Sequence, residues 1–124
     1  MTPGELVTAL VRACEARDLD RACSLVTDDI EYDNVPMGKV YGPEGVRKVL
    51  SAGVTQEATD IEWRVLEQIE QGDTVMNERV DCFLVNGTWI EIPIAAIFKV
   101  REGKICLWRD YFDLDTYRKQ RNAQ

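Results

Sequence analysis

An arginine and an aspartate separated by one residue, Arg79 and Asp81, lie in a strand-like run, and a further aspartate, Asp110, falls among aromatic residues near the C-terminus. Carboxylates held against one guanidinium can share a proton, which splits them into a general acid and a general base. Hydrolysis needs that pair. The chain has no histidine, which removes Ser-His-Asp and Cys-His nucleophile systems and most zinc sites. Acid–base chemistry must therefore run on carboxylates, tyrosine or lysine.

The spacing predicts where these charges point. In the run 75–85, alternation puts Val75, Asn77, Arg79, Asp81, Phe83 and Val85 on one strand face, and Met76, Glu78, Val80, Cys82 and Leu84 on the other. Neither face is cleanly polar, so the strand is expected to be covered on both sides with some charge buried. The same parity groups Cys106, Trp108, Asp110 and Phe112, placing a carboxylate between large aromatics. A buried carboxylate needs a partner, and the planar fork of Arg79 can hold Asp81 and Asp110 at once. Spacing alone leaves open the ordinary alternative, an Arg79–Asp81 cross-strand pair with Asp110 capping a turn beside Tyr111.

The elements that must position these residues follow from period and punctuation. Thr2-Pro3-Gly4-Glu5 has the capping-box form, and Leu6, Val7, Leu10, Val11 and Cys14 continue at helical spacing. Asp18-Leu19-Asp20 interrupts, and Ala22, Cys23, Leu25 and Val26 predict a second, shorter helix. Residues 30–35 alternate as a strand carrying Tyr32 and Asn34, and a third helix is expected near Pro43 with Val46, Val49 and Leu50 inward. From Thr59 the period becomes two, giving strands over 59–70, 74–85, 88–101 and 104–112, parted by Gly72-Asp73, Asn86-Gly87 and Glu102-Gly103. Helices followed by a meander predict an α+β fold with helices on one face of a sheet. Pro93 inside its strand predicts an edge, bulge or bend.

A chain of 124 residues fits a single domain, 1–124, large enough for a core and one internal pocket. The net charge of −7 opposes nucleic acid and anionic membranes. No run approaches the ~20 apolar residues of a membrane span. The acidic opening Met1–Glu5 lacks a secretory pattern, so a cytoplasmic location is expected. Cys14, Cys23, Cys82 and Cys106 show no C-x-x-C spacing and read as reduced packing residues. Lys48, Glu57, Glu62 and Arg64 read as solvated charges.

Tyr32-Asp33-Asn34, Arg79-Val80-Asp81 and the run Leu107-Trp108-Arg109-Asp110-Tyr111-Phe112-Asp113 resemble the three active-site segments of limonene-1,2-epoxide hydrolases. The resemblance implies a cone like nuclear transport factor 2 and the SnoaL-like proteins, a strongly curved, mixed but mainly antiparallel sheet whose N-terminal helices help enclose a deep pocket. It implies a homodimer that needs no cofactor or metal and adds water to an apolar epoxide. By the same resemblance Asp110 is the general base, Asp81 the general acid and Arg79 their bridge, while Tyr32 and Asn34 position the water. From the residues alone, Tyr32 could equally be a half-buried strand aromatic and Asn34 a turn residue before Pro36. Phe83, Ile92, Ile94, Trp108 and Phe112 are the expected substrate walls, with Ile90 sharing the parity of the other isoleucines. A ketosteroid-isomerase-like or polyketide-cyclase-like enzyme, or a binding module on the same cone, are the competing readings. A collapsed pocket or a solvent-facing Arg79 would favour the binding module.

Overall fold

Thr2 caps α1 (Pro3–Glu15) with a complete capping box: its side chain accepts from the Glu5 N–H while the Glu5 carboxylate accepts from the Thr2 N–H. Leu6, Val7, Leu10, Val11 and Cys14 form the buried stripe of this helix. Asp18 accepts from the Arg21 N–H and caps α2 (Leu19–Ser24). Periodicity alone carries this helix to Val26. Instead Leu25 closes it, and Val26 opens β1 (Val26–Asn34) opposite Ile105. The computed structural model describes residues 1–123.

β2 (Gly38–Tyr41) pairs antiparallel with β1, and α3 (Gly42–Leu50) follows with Val46 and Leu50 inward. β2 has no buried side chain and α4 (Gly53–Glu57) is a five-residue turn of helix, so neither leaves a readable period in the sequence. The meander β3 (Asp60–Gln71), β4 (Thr74–Val85), β5 (Thr88–Arg101) and β6 (Lys104–Tyr111) matches the expected strands closely. Asn86 and Gly87 both adopt positive φ, as do Glu102 and Gly103. Those are the conformations that a tight two-residue hairpin of matching twist requires.

The six strands run β2-β1-β6-β5-β4-β3 in a curved open sheet. The β1–β6 pair is parallel and the others are antiparallel, so the sheet is mixed and mainly antiparallel, as expected. Two local expectations need correction. Strict alternation put Cys106 on the Trp108 face, but Val100 pairs with Ile105 and Lys99 with Leu107. Cys106 is therefore the extra residue of a bulge, and Ile105 faces the core in its place. Cys14 and Cys82 are buried, whereas Cys23 and Cys106 are only partly so; all four are free thiols.

Helices are also not confined to the N-terminal half. α5 (Leu114–Asn122) follows the sheet; it buries no residue fully, which is why no apolar stripe announces it. Its Gln120 side chain accepts from the Glu91 N–H at 2.7 Å and donates to the Glu91 carbonyl at 2.8 Å. The amide acts as a short substitute strand on the part of β5 that β6 leaves uncovered, since that pairing begins only at Ala95. Pro93 sits on the same stretch, where its missing N–H costs no β6 hydrogen bond.

Candidate active site

Alternation along β4 brings Asn77, Arg79, Asp81 and Phe83 to the concave face, all buried. Register then supplies their neighbours. Asp81 lies between Trp63 of β3 and Ile92 of β5, and Arg79 lies beside Ile94. On the far side, Asp110 of β6 lies between Ala96 of β5 and Asn34 of β1, and Trp108 lies beside Tyr32. Ala96 stands directly between the Asn77 and Asp110 positions, so a one-carbon side chain occupies the strand that Arg79 must cross.

Arg79 is 0% exposed, Asp81 3% and Asp110 2%. Arg79 donates from Nε to Asp81 Oδ1 at 3.0 Å and from Nη2 to Asp81 Oδ2 at 3.1 Å. Nη2 also donates to Asp110 Oδ2 at 3.2 Å. The remaining nitrogen, Nη1, donates to Asn77 Oδ1 at 3.0 Å. Trp63 covers the cation with its ring centroid 5.1 Å from Cζ, while its own indole N–H is buried without a partner. The Trp108 indole donates to Asp110 Oδ1 at 2.9 Å and stacks on Tyr32 at 3.9 Å. Asp110 is therefore held at both oxygens, by a cation and by a neutral N–H.

Burial pushes the Asp81 carboxyl up to about 6, with Asp110 adding to the rise and the charge and hydrogen bonds of Arg79 opposing it. A carboxyl in that range holds a proton for a useful fraction of the time near neutrality, as a general acid must. Burial pulls Arg79 down, but Asp110 and Asp81 outweigh it and keep the guanidinium charged. Burial, then the Asp110 charge, raises Tyr32 well above its ordinary value, so it stays a phenol that can donate or accept.

Asp81, Asp110 and Tyr32 face a cavity of about 380 Å³, with Arg79 buried behind them. Tyr32, Asn34, Asp81 and Asp110 form its polar end, and Phe83, Ile92, Ile94 and Phe112 form an apolar wall. One expected wall residue, Trp108, lies elsewhere, as does Ile90, which shares the wall parity. Trp108 is fully buried behind the surface and orients Asp110, and Ile90 packs in the core. The sequence reading also missed contributors. Met37–Val40 of the β1–β2 hairpin, Val54 of α4, Trp63 of β3 and Tyr117 of α5 line the cavity. Val49 and Leu50, expected to point inward, line it too. Asn77 shares the alternation that singled out Arg79, and its place on that face was the available signal. Glu57 is exposed, as expected, and both of its oxygens accept from Arg121 of α5.

A curved sheet with helices over its concave face, closing on buried carboxylates at the end of an apolar cavity, defines a cone-fold protein equipped for acid–base chemistry. Residues 2–122 match the family model described as the limonene-1,2-epoxide hydrolase catalytic domain. The chain belongs to that epoxide hydrolase family. Epoxide hydrolase EphG of Mycobacterium tuberculosis is 29% identical over 87% of this chain and 71% of its own length. The structure of an M. tuberculosis epoxide hydrolase of the same type superposes with a TM-score of 0.80 at 25% identity, covering 94% of this chain and 86% of the other. An NTF2-like protein of unknown function from Cytophaga hutchinsonii has a TM-score of 0.76 at 19% identity, over 93% of each chain, and shares the cone alone. Among the described residues, no helix is long and apolar enough to cross a membrane.

Proposed function

We propose that this chain adds water to a small apolar epoxide, cyclic or terpene-like, and gives a vicinal diol in one step without a cofactor. Asp110 takes a proton from a water held by Tyr32 and Asn34, and the water oxygen attacks a ring carbon. As the bond from that carbon to the ring oxygen breaks, Asp81 protonates the departing oxygen. Asp81 ends ionised and Asp110 protonated, so the buried charge does not change, and Arg79 stays charged against both throughout. One proton returned from Asp110 to Asp81 completes the cycle.

The observation that carries this reading is the bridge itself: one buried guanidinium holds two carboxylates that face the same cavity. An isomerase that moves a proton on carbon can also set a base carboxylate beside a proton-donating carboxyl group, but it needs no bound water and no guanidinium joining the two, and a binding module needs no buried charge. The cavity lies at the small end of ligand sites, which supports a compact substrate. Turnover of a panel of cyclic and terpene epoxides, with diol analysis, tests the reading. Diol from at least one member is expected, and none from any would reject it.

We also infer a homodimer. Leu66, Ile69, Met76 and Tyr111 are large, apolar and exposed on β3, β4 and β6. An apolar outer sheet surface of this kind is what a second copy would cover.

A further inference from the structure

Arg79 has one neighbour that the acid–base reading does not use. Asn77, 5% exposed, accepts from Arg79 Nη1 and donates from Nδ2 to Gln68 Oε1 at 3.1 Å. Gln68 in turn donates from Nε2 to the Gly4 carbonyl and to Thr8 Oγ1, both at 3.1 Å. This chain of hydrogen bonds has a single polarity. Arginine only donates, so Asn77 must present oxygen to it, which leaves the Asn77 nitrogen to donate. Gln68 is then obliged to turn its oxygen to Asn77 and its nitrogen to α1.

Gln68 reaches Asn77 because β3 carries an extra residue between Val65, opposite Arg79, and Glu67, opposite Glu78. Without that bulge the register would set Glu67 against Asn77 on the inner face. A carboxylate there could not donate to the Gly4 carbonyl and would bring a further negative charge towards Arg79. With the bulge, Glu67 is exposed and a neutral amide takes the inner position.

We propose that Asn77, backed by Gln68, is a positioning residue for epoxide opening: it ties Nη1 of Arg79 away from the acids, so that Nε and Nη2 serve Asp81 while Nη2 alone reaches Asp110. The role in turnover rests on the hydrolase reading above. A guanidinium freed at Nη1 can turn and spread its donors over both carboxylates, which erodes the division into acid and base. The titratable groups around it are Asp81 on β4, Asp110 on β6, Cys14 on α1 and Tyr32 on β1. Trp63 closes one face of the guanidinium. Asn77 and Gln68 do not line the cavity, so neither meets the substrate.

The test uses Asn77→Leu, which removes the central link, and Gln68→Met, which removes the outer one without touching Arg79. For each, kcat and KM on an epoxide are measured together with the ¹³C carboxyl titrations of Asp81 and Asp110. In both variants kcat should fall at least about tenfold with KM held within about twofold, the mark of a group acting in the transition state rather than in binding. The Asp81 midpoint should move by roughly half a pH unit or more. A folded Gln68→Met protein with kcat and the Asp81 midpoint unchanged overturns the proposal. So does a loss of activity with a fixed Asp81 midpoint, which would make Asn77 mere structural support. Gln68→Met decides the matter if Asn77→Leu does not fold. A wild type that opens no epoxide rejects the hydrolase reading separately, and the carboxyl titrations still decide whether Asn77 sets the two acids apart.

Discussion

Arg79 Nη2 lies 3.2 Å from Asp110 Oδ2 although the residues are 31 positions apart and stand on strands separated by β5. The guanidinium thereby joins an acid on its own strand to an acid two strands away, and small Ala96 occupies the strand between. The proposed chemistry uses that reach, and the ionic cluster it closes is buried.

Asp110→Asn and Asp81→Asn should each lower kcat by about 10²–10⁴-fold, the usual worth of a positioned base or acid. Glu78 is on β4 but exposed on the opposite face, so Glu78→Gln should leave kcat near wild type. Steady-state diol formation measures all three. Near-wild-type turnover by Asp110→Asn would end the acid–base account.

Arg79→Ala should abolish activity and lower unfolding stability by about 3–5 kcal/mol, because removing one member of a buried ionic cluster leaves the others uncompensated. Urea denaturation gives the difference. An unchanged midpoint would mean that the carboxylates do not depend on the arginine.

Asp81 also makes stability depend on pH. Its folded value, about 6, lies above the ordinary 3.8, so the folded state binds this proton more tightly than the unfolded chain does. The stabilisation is fully present below about pH 4 and is lost as pH rises through about 6, a swing on the order of 3 kcal/mol. The stability difference between wild type and Asp81→Asn should therefore fall between pH 4 and pH 7. A flat or rising difference would contradict the assignment. In the proposed mechanism Asp81 gives up that same proton, so kcat/KM should decline as pH climbs past about 6.

A homodimer predicts about twice the chain mass by sedimentation at micromolar concentration. Met76→Glu, which puts charge on the outer face, should shift the protein towards monomer. A wild-type monomer removes the dimer and leaves the chemistry untouched.

Local pattern made much of this legible. The alternation in β4 is enough to set Arg79 and Asp81 on one face, and Asn86-Gly87 marks its hairpin because positive φ favours those residues. Tyr32 and Asn34 come to Trp108 and Asp110 through the parallel β1–β6 pairing, which joins distant segments and leaves no local periodic trace. Only the resemblance pointed there. Parity put Trp108 on the Asp110 face but could not tell a substrate wall from an indole N–H that fixes a carboxylate. Cys106 was misplaced because a bulge shifts parity by one residue, and α5 was missed because it buries nothing fully.

The most direct test of the central claim is a single turnover with excess enzyme in ¹⁸O-water. If Asp110 acts only as a base on water, as the lack of a histidine to resolve an aspartyl ester argues, the first-turnover diol should carry the label at once. A first-turnover diol with unlabelled oxygen, and label accumulating in the Asp110 peptide over many turnovers, would make the carboxylate the nucleophile and contradict the one-step mechanism.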